Sequence, residues 1–314
     1  MIQMKLPLKT HVVLVVLMAI LLSCQHTTKQ KTQEEDRGFE ETAFSPCCGE
    51  PSSDAEPLTI KLAINDTYCK STACVCIHDV AAREYEELQR LLKEKHNINL
   101  ELSYYVEIYH LEDKIKAKEY DGVICKPWNT FMLQKEHELN YKRVVDIKDA
   151  FNNEWLKGVF IVPKDSPIQT LEDINGKVMV AGQPDAYEKY HQPFHLLEQK
   201  NIKPGKIYHK ASCLECINEL LDKNAEVAIV SDYVMEASCA VDVASEDDFR
   251  IVGETEKTPL TSVILDMDKI SKEDAMRLQK ALLNLSNENS PESMLSDGFI
   301  KPSRWTPNPY VKTL

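Results

Sequence analysis

The chain has 314 residues, with 37 basic against 50 acidic side chains and a formal net charge of −13 at pH 7. That balance excludes nucleic acid as a partner, because such binding rests on many Lys and Arg contacts to phosphates. It also gives no long-range attraction for anionic solutes.

Lys5 and Lys9 form a short basic start, and residues 12–22 are an unbroken apolar run. A membrane-spanning helix needs roughly 20 apolar residues, so a run this short is the core of a signal peptide, here residues 1–23. It ends in Leu21-Leu22-Ser23-Cys24. An apolar residue, a small residue and then Cys resembles the bacterial lipobox, which implies cleavage before Cys24 and a diacylglycerol on its thiol. Several acyl chains would anchor the protein firmly, since one alone binds marginally. Removal of 1–23 takes away Lys5 and Lys9 and no acid, which moves the net charge from −13 to −15.

Residues 24–57 are polar and acidic with no apolar periodicity. Such a composition supports no core and is expected to act as a flexible tether. From Leu58, apolar Leu58, Ile60, Leu62 and Ile64 recur at every second position, the period of a strand. Ala81, Tyr85, Leu88 and Leu92 recur at helical spacing and predict a helix over 79–96. A strand over 99–106, a short helix over 111–118, a buried strand over 122–125 and a helix over 127–138 follow. The last has Pro127 in its first turn, where a missing N–H leaves nothing unbonded. The pattern then repeats, with strands over 159–162, 178–181, 207–209 and 227–230. Between them lie a capping box at 170–173, a helix over 186–199 and a helix capped by Ser212 that runs to Leu221. Strands near 250–252 and 262–265 and a helix opened by Ser271 that reaches about 285 complete the reading. Strands alternating with helices predict α/β units on mostly parallel sheets.

Several of these segments, in this order, resemble the phosphate/phosphonate-type periplasmic substrate-binding proteins that feed ABC importers. Leu58-Thr-Ile-Lys-Leu-Ala-Ile64 is similar to the family's first strand, and Tyr120-Asp-Gly-Val-Ile124 to the strand that ends at the solute site. Gly158-Val-Phe-Ile-Val-Pro-Lys-Asp-Ser166 with Thr170-Leu-Glu-Asp-Ile-Asn-Gly-Lys177 resembles the crossing into the second lobe, and 220–231 the strand that returns towards the first. The resemblance implies a two-lobed type II periplasmic-binding-protein fold of the α/β class, each lobe a mostly parallel sheet flanked by helices. Lobe 1 would comprise 58–154 and 245–314, and lobe 2 would comprise 155–244. It implies a non-enzymatic partner of ABC transporter membrane subunits, held in the cell envelope and facing the periplasm or exterior, that binds a small solute.

Such folds bind ligands at the carboxyl ends of parallel strands. The strand-end loops make Tyr68, Lys126 and Trp128 the ligand-binding candidates of lobe 1, and Asp185, Tyr187, Ser212 and Asp232 those of lobe 2. Anion binders of the family carry clustered hydroxyls at a helix start in lobe 2. The matching stretch here, Pro184-Asp-Ala-Tyr-Glu-Lys-Tyr190, lacks them and adds Asp185 and Glu188. Those carboxylates either favour the positive end of a helix or ligate directly. Either way the usual oxyanion pocket is lost, and phosphate and simple alkylphosphonates are expected to bind weakly or not at all.

The ten cysteines become nine once Cys24 is lipidated, an odd number that leaves at least one thiol outside any internal pairing. Cys47 and Cys48 lie in the tether. Cys69, Cys74, Cys76, Cys125, Cys213, Cys216 and Cys239 lie in or beside the strand-end loops. Three readings stay open. Disulfides would stiffen the loops in an oxidising compartment. The first six of those seven, joined by His78 or His209, would hold a soft metal such as copper, zinc or an iron–sulfur unit, making a metal-binding or delivery lipoprotein. Cys213-Leu-Glu-Cys216 at a helix start would support thiol–disulfide chemistry. Nothing resembles a catalytic triad, a Walker loop or a Gly-rich dinucleotide turn, so no catalytic residue is expected.

Overall fold

The structure, a computed structural model, describes residues 56–72, 83–149, 151–236, 243–285, 290–294 and 296–308. The signal segment, the tether with Cys24, Cys47 and Cys48, and also Cys74, Cys76, His78 and Cys239 lie outside the described residues.

Lobe 1 begins with strands β1 (Leu58–Asn65), β2 (Ile98–Tyr104), β3 (Gly122–Cys125) and β4 (Tyr141–Ile147). Helices α1 (Glu86–His96), α2 (Ile108–Lys116) and α3 (Pro127–His137) connect them. Strand β5 (Trp155–Leu156) leads into lobe 2, which holds β6 (Gly158–Pro163), β7 (Val178–Ala181), β8 (Lys206–His209), β9 (Val227–Ser231) and β10 (Phe249–Glu254). Helices α4 (His191–Gln199) and α5 (Cys213–Leu221) belong to this lobe. Strand β11 (Thr258–Pro259) leads back to β12 (Thr261–Asp266), α6 (Lys272–Leu283) and β13 (Phe299–Ile300).

The two sheets share one plan. The first has the order β13-β4-β12-β3-β1-β2 and the second β10-β6-β9-β7-β8. In each, three neighbours run parallel: β2, β1 and β3 in one, and β8, β7 and β9 in the other. In each, the next strand is antiparallel and follows directly on a crossing segment: β12 after β11, and β6 after β5. The α/β, two-lobed organisation implied by the sequence is thus observed. One boundary differs. The sequence resemblance implies that everything from 245 onward belongs to lobe 1, but β10 pairs with β6. Val252 accordingly packs against a lobe 2 core, and the return crossing lies at β11.

The crossing segments are paired with each other. Leu156 faces Thr258 and Trp155 faces Pro259 in a small antiparallel sheet. Flanking bonds extend it: Gly158 N donates to Thr255 Oγ1 at 2.8 Å, Thr255 N to Gly158 O at 2.9 Å, and Leu260 N to Glu154 O at 3.0 Å.

Side chains pack as the periods demand. In β6, Val159 and Ile161 face the cluster under α5, while Phe160 and Val162 face the cluster under α4, the two-residue alternation of a strand covered on both sides. Lobe 1 packs Ile60 and Leu62 of β1 against Leu88 and Leu92 of α1 and Leu278 of α6. Two predicted helices start later than expected. Residues 83–85 precede α1 because Arg83 and Tyr85 are both fully buried as partners of Asp66. The 186–199 helix is divided into a 3₁₀ turn at Tyr187–Lys189 and α4. Pro193 would clash with a helical carbonyl four residues upstream, so it sits in the first turn of α4. Among the described residues no helix is long and apolar enough to cross a membrane.

Candidate functional site

The carboxyl ends of β1 and β3 in lobe 1 meet those of β7 and β9 in lobe 2. At the end of β1, Asp66 is fully buried. Its Oδ2 accepts from Arg83 Nη1 and from Tyr85 Oη, both at 2.8 Å, and its Oδ1 accepts from Thr261 Oγ1 at 3.0 Å. Arg83 spends its remaining donors on the carbonyls of Met294 (2.9 Å) and Lys148 (3.2 Å). This network fixes the loop that carries Tyr68, whose ring lies 5.8 Å from that of Tyr233 in lobe 2. Burial, and then the charge of Asp149, pushes the Tyr68 hydroxyl well above its ordinary value.

The centre of the interface is an ion pair between the lobes. Lys126 follows β3 directly, and its Nζ lies 2.8 Å from Glu188 Oε1. Glu188 is fully buried, whereas the Lys126 side chain keeps 18% of its exposure. Ser231, the last residue of β9, donates its hydroxyl to the same Oε1 at 3.0 Å. Glu188 Oε2 is buried and has no hydrogen-bond partner among the described residues. Burial alone would push this carboxyl up; the charges of Lys126 and Lys189 outweigh it and hold it down at about 2. The backbone is adapted to the arrangement, since a Cβ on Gly158 would lie 1.9 Å from the Glu188 carbonyl oxygen. Only glycine lets β6 pass this close.

Aromatic rings from both lobes pack together on the residues that neighbour the pair in sequence. Trp128, in the first turn of α3, stacks on Tyr187 with ring centres 4.0 Å apart and planes 18° from parallel. His191 lies 5.5 Å from Trp128, and its Nε2–H donates to Pro184 O at 2.7 Å. The C-terminal segment adds Trp305, edge-on to Tyr187 at 6.4 Å, and Asn308, whose N–H donates to Tyr187 Oη at 3.3 Å. Lobe 1 holds that segment through Ser303, which donates N–H and hydroxyl to Asp146 Oδ2 at 2.9 and 2.8 Å. A cavity of about 220 Å³ lies beside Tyr187, lined among others by Gln192, His195, Glu254 and Thr255.

Of the residues singled out in the sequence, Lys126, Trp128 and Tyr187 come together here, and Tyr68 lies against Tyr233. Asp232 is partly buried beside them. Its Oδ1 accepts from the N–H groups of Lys157 (3.3 Å) and Tyr233 (3.1 Å), and burial pushes its carboxyl up despite those donors. Asp185 is exposed on the turn. Ser212 is engaged as the cap of α5, where its hydroxyl accepts from Glu215 N at 3.2 Å. The idea that Asp185 and Glu188 serve a helix terminus is corrected, because α4 begins only at His191 and Glu188 points to Lys126 instead. Ser231 and Gly158 read in the sequence only as parts of strands, and Trp305 carries no signal that marks it as a site residue.

The four thiols among the described residues are placed as core. Cys69, Cys125, Cys213 and Cys216 are buried and not disulfide-bonded, and they fall in three different apolar clusters. A buried thiol packs as a small hydrophobe. Cys213 and Cys216 share the inward face of α5, and Cys216 Sγ lies 3.8 Å from Ala181 O. Burial pushes the Cys69 and Cys125 thiols up. Among the described residues, the one set of three His, Cys, Asp or Glu ligand atoms within 4.8 Å of one another is Glu112, Glu136 and His137, which contains no cysteine. His209 donates Nδ1–H to Gly182 O at 2.9 Å and packs on Tyr190.

Comparison with known proteins agrees with this geometry. The family described as ABC transporter, phosphonate, periplasmic substrate-binding protein matches residues 78–304. No curated protein matches the chain by sequence. Among solved structures, a Xanthomonas citri protein bound to chloride ion superposes with TM-score 0.61 at 16% identity, over 78% of this chain and 91% of that one. PhnD1 from Prochlorococcus marinus, in complex with methylphosphonate, gives TM-score 0.56 at 13% identity over 78% and 93%. A binding protein component of an ABC phosphonate transporter from Pseudomonas aeruginosa gives 0.55 at 12% over 79% and 82%. Identities this low establish a shared fold.

Proposed function

The chain belongs to the periplasmic substrate-binding proteins of phosphonate ABC transporters, and from that premise we propose that it is a lipid-anchored solute-binding component which presents a small solute to transporter membrane subunits. Family membership implies a location outside the cytoplasm. The observation that carries the reading is the cross-lobe contact at the strand ends, where Lys126 meets Glu188 and Trp128 stacks on Tyr187. A two-lobed protein whose lobes bind one another there is built to open and close by a hinge. Lys126, Trp128, Tyr187, Glu188 and Ser231 are the proposed solute contacts, with Tyr68 and Asp232 at the edge. The solute is proposed to be other than phosphate or a simple alkylphosphonate, because a carboxylate stands in place of a hydroxyl cluster. The thiol-based readings gain no support from four cysteines buried as core.

A native mass spectrum of the protein released from its own membranes tests this. A small-molecule adduct is expected on the wild type and is expected to be lost from Trp128→Ala. Bare protein in both samples would overturn the reading. The anchor is tested separately. Cys24→Ala is expected to abolish incorporation of a fatty-acid analogue, and label persisting on that variant would show that the lipobox is misread.

A further inference from the structure

Lys126 Nζ from lobe 1, at 2.8 Å, and Ser231 Oγ from lobe 2, at 3.0 Å, converge on a single oxygen. An ammonium and a hydroxyl reaching one oxygen from opposite lobes is the donor set that a free oxyanion would use. Here the oxygen belongs to the chain. Glu188 is carried on a short 3₁₀ turn, and Gly158 leaves room for its backbone to press against β6. A buried carboxylate placed purely for structure normally has both oxygens satisfied, yet Glu188 Oε2 has no hydrogen-bond partner among the described residues. The arrangement resembles an occupied ligand site more than a finished ion pair.

We propose that Glu188 is a tethered ligand: its carboxylate fills an oxyanion site made by Lys126 and Ser231, and thereby sets the specificity of the cleft against free oxyanions. The inference rests on the cleft being the solute site. A covalently attached competitor acts at an effective concentration of about millimolar, so a free phosphonate must displace a group that never diffuses away. Removal of the carboxylate leaves Lys126 and Ser231 as vacant donors.

Titration calorimetry with methylphosphonate and with inorganic phosphate decides the matter. Glu188→Ala and Glu188→Ser are expected to bind at least one of the two oxyanions about tenfold or more tighter than wild type, a difference of about 1.4 kcal/mol. Glu188→Gln keeps the volume and loses the charge, and is expected to give a smaller gain of the same sign. Addition of Lys126→Ala to Glu188→Ala is expected to abolish the gain. Unchanged oxyanion affinity in every folded Glu188 variant would overturn the inference, and so would a gain that survives without Lys126. A wild-type protein that carries its solute adduct while these titrations stay flat would remove the tethered ligand and leave the solute-binding reading intact.

Discussion

Replacing Arg83 with Met is expected to cost about 3–5 kcal/mol of folding stability, the range found when one partner of a buried ion pair is removed. The expectation follows from where Arg83 sits. Both it and Asp66 are fully buried, and the guanidinium reaches Asp66, Met294 O and Lys148 O at once. Methionine fills much of the volume and supplies none of those donors. Asp66 keeps Tyr85 and Thr261 as neutral partners and loses its countercharge. The Met294 carbonyl loses the guanidinium as well, while Lys148 O keeps the Ser296 hydroxyl at 2.6 Å. Urea unfolding of wild type, Arg83→Met, Asp66→Asn and the double variant gives the coupling directly. A single-variant cost under about 1 kcal/mol, as for exposed pairs, would show that the network does not hold the β1 loop.

Lys126→Met is expected to cost about 2–3 kcal/mol, below the range for a fully buried pair because Lys126 retains some contact with water. Its diagnostic is the sign of the pH dependence. In wild type the Glu188 carboxyl lies at about 2, below its ordinary 4.5. A depressed carboxyl contributes stability that is complete above the unfolded value and is lost as the pH falls through the folded one. Wild type should therefore lose on the order of 3 kcal/mol from this group between about pH 4.5 and 2. Without Lys126, burial is the largest influence left, and burial raises a carboxyl. The variant should then gain stability as the pH falls from 7 towards 5, while wild type stays level on this account. Urea midpoints measured across that range decide it. Parallel pH curves for the two proteins would mean that Lys126 does not hold Glu188 ionised.

The sheets were largely legible because their strands obey simple periods. The alternation of Leu58, Ile60, Leu62 and Ile64 and the short apolar runs at 178–181 and 227–230 became strands within a residue or two. Capping chemistry was equally readable: Ser212 and Ser271 accept from Glu215 N and Asp274 N as their helix starts demand. Strand β4 escaped because Arg143 and Asp146 interrupt its apolar pattern. They are buried together, and Asp146 is also bonded to Ser262 and Ser303, more than a hundred residues away; partners that distant leave no local trace. The site was half legible. Position relative to strand ends identified Lys126, Trp128 and Tyr187. The role of Glu188 required knowing that residues 62 positions apart meet at 2.8 Å. The four described cysteines are buried for a physical reason: strand-end loops and the first turns of helices also contribute to cores, and a thiol there packs as a small hydrophobe.

The pairing of β5 with β11 bears on how a transporter would sense this protein. Two independent linkers would let the lobes twist, slide and bend, presenting many relative orientations. Two linkers paired antiparallel, Leu156 opposite Thr258 and Trp155 opposite Pro259, behave as one ribbon that resists shear and bends about one axis. The lobes are left with a single angular coordinate. For a membrane subunit that touched both lobes, the opening angle would then be the quantity that differs between an empty and a loaded carrier.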